Sequence, residues 1–173
     1  GSVTDAPASA LLTGPPAAGK TSLISQVVMH TLLMAELVPI PIKVQQLQRR
    51  LLESPSAFAT CWNWIDAYLR LEHDDGAVYR MLRQAMAARR AVLLLDGLDE
   101  GGRARSQIER QVAQVLARQG HVVVATARPA GTDEAGFAGF RRLTLAPLSA
   151  AQQRSVIENR LNEPVQVGRL MEY

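Results

Sequence analysis

The densest chemical signal in the chain is the run Gly14-Pro15-Pro16-Ala17-Ala18-Gly19-Lys20-Thr21, which satisfies the pattern GxxxxGK(S/T). In that pattern the loop's backbone N–H groups and the positive end of the following helix converge on the β- and γ-phosphates of a nucleotide. Lys20 adds a point charge to those phosphates, and the Thr21 hydroxyl is a hard oxygen ligand suited to Mg²⁺. Ser22, the first residue past the pattern, completes the candidate nucleotide-binding set. Lysine is rare here, with only Lys20 and Lys43 among 19 basic residues, so its place in the pattern stands out.

A second cluster closes the apolar run Ala91-Val92-Leu93-Leu94-Leu95-Asp96-Gly97-Leu98-Asp99-Glu100. A run without alternation predicts a strand covered on both faces, as in a parallel sheet. Its acids then fall at the carboxyl end of the strand, the edge where open α/β sheets bind ligands. Asp96 can hold Mg²⁺ through its water shell. Asp99 or Glu100 can orient or deprotonate a water for attack on a γ-phosphate, and the residues leave that choice open. A third stretch, His121 to Ala125, predicts another buried strand that carries Thr126-Ala127-Arg128-Pro129 to the same edge. Arg128 can meet the charge that develops on a transferred phosphoryl group.

Five strands alternating with helices must position these groups. The first ends at Thr13, and the helix after the loop is predicted to run to about Glu36 with Leu23, Val27, His30 or Thr31, and Met34 at helical spacing. Val38 to Val44 alternates as a strand, and Pro39 and Pro41 assign it to a sheet edge because proline donates no ladder hydrogen bond. Helices are predicted over Gln45 to Glu53, Ser56 to Leu71, Val78 to Arg90 and Gln107 to Gln119. The second of these turns Phe58, Cys61 or Trp62, Ile65 and Leu69 inward, and the third leaves Arg80, Arg83, Arg89 and Arg90 solvated. Gly101 to Ser106 is expected to be a flexible basic connection and Ala130 to Phe140 a mobile, glycine-rich one. A short strand from Arg141 to Leu145 and a helix from about Ser149 to Asn162 follow. The pattern is that of a three-layer α/β domain with a five-stranded, mainly parallel sheet.

Composition narrows the function classes. A chain of 173 residues with 47% hydrophobic content buries one ordinary core. It has no apolar run near the ~20 residues needed to span a bilayer, which predicts a cytoplasmic location. The net charge of +3 comes from scattered arginine pairs, and two tryptophans, three tyrosines and three phenylalanines are too few for base-stacking platforms, which argues against direct nucleic-acid binding. Cys61, the single cysteine, has no disulfide partner, and no ligand-like spacing links it to His30, His73 or His121, so no zinc site is expected.

Taken together, GPPAAGKT, LLLDGLDE (Leu93 to Glu100), VVVATARP (Val122 to Pro129) and LTLAPLSAAQQ (Leu143 to Gln153) resemble the NACHT nucleotide-binding domain of the signal-transduction ATPases with numerous domains. The resemblance implies a P-loop NTPase sheet of order 5-1-4-3-2. It also implies ATP or ADP on Gly14 to Ser22, Mg²⁺ on Thr21 and Asp96, Lys20 and Arg128 on the phosphates, and a hydrolytic role shared by Asp99 and Glu100. In such proteins a slow ATP switch controls self-association and connects effector and sensor domains. An ordinary catalytic P-loop ATPase or kinase, and a non-hydrolysing nucleotide-binding scaffold, are the alternative functions. Residues 1–9 would be a cloning scar and lead-in, 10–148 the nucleotide-binding core, and 149–173 a helix leading to a truncated lid. Ala17 departs from the family pattern, standing where many relatives have glycine.

Overall fold

The computed structural model describes residues 9–73, 75–129, 133 and 135–161. Its strands are β1 (Ala10–Thr13), β2 (Val38–Lys43), β3 (Ala91–Asp96), β4 (Val122–Ala127) and β5 (Arg141–Thr144). They form one sheet of order β2-β3-β4-β1-β5, and each of its pairings is parallel. This is the expected order read from the other edge. The apolar run of β3 is buried on both faces: Leu93 and Leu95 join the larger core, while Val92 and Leu94 meet Ile24 on the opposite side. Val38 donates its N–H to the Arg90 carbonyl at 2.8 Å, so alternate residues of β2 face β3. Pro39 and Pro41 therefore fall at outward-facing positions and blunt the open edge.

The helices are α1 (Lys20–Leu32), α2 (Val44–Glu53), α3 (Pro55–Ala59), α4 (Trp64–Glu72), α5 (Gly76–Ala87), α6 (Arg105–Arg110) and α7 (Ala150–Leu161). After α6 the chain continues as a π-helical segment, Gln111–Leu116, with Ile108, Val112 and Leu116 buried. Gly120 then reverses the chain at φ +78°. Reciprocal bonds between Ser149 and Gln152 form a capping box ahead of α7. The expected lid would begin in residues 162–173, which lie outside the described part.

Several elements differ from the sequence expectation for identifiable reasons. Helix α1 ends at Leu32, not Glu36, because Leu33 and Met34 donate back to the carbonyls of His30 and Thr31 and tighten the last turn. Its inward side is Ile24, Val27, Val28 and Thr31, while Met34 is exposed. The helix expected over Ser56 to Leu71 is split into α3 and α4, since the Asn63 side chain accepts from Asp66 N at 2.9 Å and starts a new helix. Phe58, Ile65 and Leu69 still enter the core.

The arginines of the α5 region are exposed as expected, Arg80 among them, and the other three also make contacts. Arg83 pairs with Asp66 at 3.2 Å, Arg89 lies over the Trp62 ring, and Arg90 Nε donates to the Glu36 carbonyl at 2.6 Å. Residues 98–100 and 102–104 form two 3₁₀ turns in place of a flexible start to the connection. Within 135–140, Phe137 and Phe140 are buried in edge-to-face contact, which anchors a segment expected to be mobile. Residues 130–132 and 134 lie outside the described part.

Candidate functional site

The site forms where β1, β3 and β4 end on the same edge of the sheet. Gly14 is buried as the chain leaves β1, and a Cβ there would lie 3.1 Å from that of Leu145. The loop then winds through left-handed backbone at Ala17 (φ 59°) and Gly19 (φ 89°) before α1 begins. Amides in the first turn of a helix have no partner within that helix, so the start of α1 presents free donors beside the loop. Lys20 Nζ donates to the carbonyls of Gly14 and Pro15 at 2.7 and 2.8 Å, folding its charge over the loop.

Asp96 is gripped from both sides. Its Oδ2 accepts from Thr21 Oγ1 at 2.7 Å, and its Oδ1 accepts from Thr126 Oγ1 at 2.7 Å. Thr126 is fully buried, and its oxygen also accepts the Gly97 N–H at 2.8 Å. Gly97 (φ 81°) turns the chain, and an added Cβ would meet Glu100 Cδ at 3.0 Å, so the Glu100 side chain lies over this glycine. Asp99 faces Arg128: its Oδ1 accepts the Arg128 backbone N–H at 3.0 Å, and its Oδ2 is 3.0 Å from Arg128 Nε.

These residues line a cavity of about 350 Å³ with Pro16, Ala17, Ala18, Gly19, Lys20, Thr21, Ser22, Asp96, Gly97, Asp99, Glu100 and Arg128 on its walls. Its size lies within the usual range for small-molecule sites. Gly14 and Pro15 do not line it; their carbonyls hold Lys20 instead. Thr21 and Asp96 supply adjacent hard oxygens, so the residues present fit Mg²⁺. A larger cavity of about 480 Å³ beside Trp62, Tyr79 and Arg83 contains none of the motif residues.

Among the described residues, a large shift of a titrating group also lies outside the site. His121, buried at the start of β4, is pushed down to about 4, first by burial and then by the nearby Arg89 charge. Thr126 is the site residue that sequence reasoning passed over. It reads as an ordinary strand former until the pairing of β3 with β4 sets it beside Asp96.

A phosphate loop between β1 and α1, an acid at the tip of β3 and this strand order define a P-loop nucleoside triphosphatase core. The model of the ATPase family associated with various cellular activities (AAA) matches residues 10–143, and the chain belongs to that family. Among solved structures, it resembles PCH-2 of C. elegans at TM-score 0.53 and 16% identity, covering 96% of this chain and 42% of that one. AMPPCP-bound DnaA from Aquifex aeolicus is similar at TM-score 0.60 and 15% identity, with 95% and 50% covered. The DNA-bound ORC of Drosophila gives 0.52 and 21%, with 89% and 40% covered. At these identities the likeness is one of fold, and this chain spans half or less of each of the three. No curated protein sequence matches it. Among the described residues no helix is long and apolar enough to cross a membrane.

Proposed function

We propose that this domain binds ATP with Mg²⁺ and hydrolyses it, serving as the catalytic ATPase module of a larger, self-associating protein. The observation that carries the reading is the convergence of Lys20, the Thr21–Asp96 pair, Glu100 and Arg128 on one cavity at the carboxyl edge of the sheet. Phosphates entering the loop offer Lys20 a stronger partner than the carbonyls of Gly14 and Pro15, and the loop amides and the start of α1 complete the cradle. Thr21 and Asp96 would hold Mg²⁺, which when bound neutralises charge on the phosphate oxygens. An acid on the turn after β3 orients the attacking water, and Arg128 meets the charge building on the γ-phosphoryl group. A cytoplasmic location accompanies this reading.

A second reading is the NACHT-type switch, in which slow hydrolysis resets a signalling protein between effector and sensor domains. The Asp-Gly-Leu-Asp-Glu spacing favours it. The family match itself is no narrower than AAA, and it supports the catalytic module first.

Calorimetric titration with ATP and ADP, with and without Mg²⁺, tests the site, using Lys20→Ala as the control. The expected result is Mg²⁺-dependent binding that is lost in the variant; unchanged affinity would remove the phosphate-loop assignment. Steady-state turnover separates the two readings. Multiple turnovers with comparable ATP and ADP affinity favour the module, tightly retained ADP with slow turnover favours the switch, and binding without turnover leaves only a scaffold.

A further inference from the structure

Within that ATPase reading, in which an acid on the turn after β3 serves the attacking water, we infer that Asp99 is not that acid but the positioning residue of Arg128. Both oxygens of Asp99 are engaged by one residue, Oδ1 by the Arg128 backbone N–H and Oδ2 by its Nε, each at 3.0 Å. The Asp99 side chain is only 11% exposed, whereas Arg128 is 55% exposed and lines the cavity. Among the described residues, the Glu100 carboxylate carries no hydrogen bond or ion pair, and it lies exposed over Gly97 on the cavity wall. A water-activating acid needs an oxygen free to take the water's proton, and Glu100 meets that requirement where Asp99 does not.

The contact also suits the arginine. A long side chain at a strand tip samples many rotamers, and that freedom is lost when it grips a phosphate. Asp99 holds Arg128 at its backbone N–H and meets the guanidinium at Nε, and among the described residues the two terminal nitrogens make no hydrogen bond. Those remain available as a fork for the γ-phosphate. The 3₁₀ turn bearing Asp99 is itself rigid: Leu98 is fully buried, Gly97 supplies the left-handed start, and Glu100 N–H closes onto the Gly97 carbonyl at 2.9 Å. Asp99 thus pre-aims a cation, at a position the chemistry itself does not use.

Nucleotide binding and single-turnover hydrolysis of the chain and its variants test this. Asp99→Asn should cut the preference for ATP over ADP by roughly 10- to 100-fold, the scale of a lost charge-assisted hydrogen bond. Arg128→Ala should cut it to a similar level, and the double variant no further. Glu100→Gln should retain the preference while hydrolysis falls by about 100-fold or more. Asp99→Glu, which displaces the guanidinium by one methylene, gives an independent reading if the asparagine variant does not fold.

Three results would overturn the assignment: slower hydrolysis in the Asp99 variants with preference intact, additive losses in the double variant, or equal weakening of ATP and ADP in step with lost stability. Wild-type protein that binds neither nucleotide would overturn this inference together with the ATPase reading. Wild-type protein that binds and hydrolyses, paired with indifferent Asp99 variants, would overturn the inference alone.

Discussion

Replacing Thr126 with valine changes almost no volume yet removes the hydroxyl that ties the tip of β3 to β4. Thr126 Oγ1 donates to Asp96 at 2.7 Å and accepts from Gly97 N at 2.8 Å, in a fully buried position. Thr126→Val leaves the Gly97 N–H buried without its acceptor, a cost of about 2 kcal/mol. It also removes a bond to a carboxylate, worth ~1.5 kcal/mol at the low end because Asp96 is only partly buried and can recruit water. The added methyl returns about 0.8 kcal/mol. The net loss is roughly 2.5 kcal/mol, or about 5–10 °C in midpoint for a chain of this size.

Urea unfolding at neutral pH measures this loss directly. Thr126→Ser, which keeps both bonds and loses one methyl, should cost only ~1 kcal/mol. Affinity for ATP should fall more in the presence of Mg²⁺ than in its absence in the valine variant, because Asp96 then has Thr21 as its sole restraint of the pair. Valine within about 0.5 kcal/mol of wild type, or serine worse than valine, would refute the account of Thr126 as the hub between the strands.

Burial holds His121 neutral in the folded chain, with its value lowered from 6.5 to about 4, so the unfolded chain takes up the proton first. Its contribution is therefore complete above pH 6.5 and is lost as the pH falls towards 4; roughly 2–3 kcal/mol should disappear over that window, and His121→Phe should flatten this part of the urea-midpoint profile. A variant profile as steep as wild type would show that other groups carry the dependence. Ala17 occupies φ 59°, so Ala17→Gly should relieve ~1–2 kcal/mol of backbone strain, offset by about 0.4–1 kcal/mol of unfolded-state entropy, for a small net gain in thermal midpoint. Gly19→Ala should instead lose about 1 kcal/mol through its φ of 89°, since nothing lies within 4 Å of the added methyl; a stabilised variant would contradict that backbone assignment.

The sheet was legible because its central strands are unbroken apolar runs and its edge strand carries Pro39 and Pro41 where no donor is required. Which strands become neighbours was not written in any local pattern; that order came with the family resemblance. Motif spacing also located the residues that meet in the cavity, since each lies at the carboxyl end of a parallel strand or in the loop after one. Thr126 escaped because its significance depends on the pairing of β3 with β4, across 30 residues of sequence from Asp96. The consecutive apolar residues Leu32, Leu33 and Met34 extended the apparent pattern of α1 past its true end, although all three are exposed. The break before α4 did have a local signal: Asn63 stands three residues ahead of Asp66, the arrangement of an N-cap, without any glycine or proline to announce it.

The same combination of local and distant constraints explains the spacing Asp-Gly-Leu-Asp-Glu. Asp96 must remain at the end of the strand, because only there do Thr21 and Thr126 reach its two oxygens. The next residue must turn the chain sharply and admit the Glu100 side chain against its α-carbon, and Gly97 satisfies both demands. Leu98 then pins the turn into the core, which fixes the directions of the two residues that follow. Asp99 leaves on the side of β4 and takes Arg128; Glu100 leaves on the side of the loop and keeps an exposed carboxylate. Two acids adjacent in sequence thereby acquire different environments. Moving either acid by one residue would turn it away from its present direction, leaving Arg128 without its partner or the cavity without its unpaired acid.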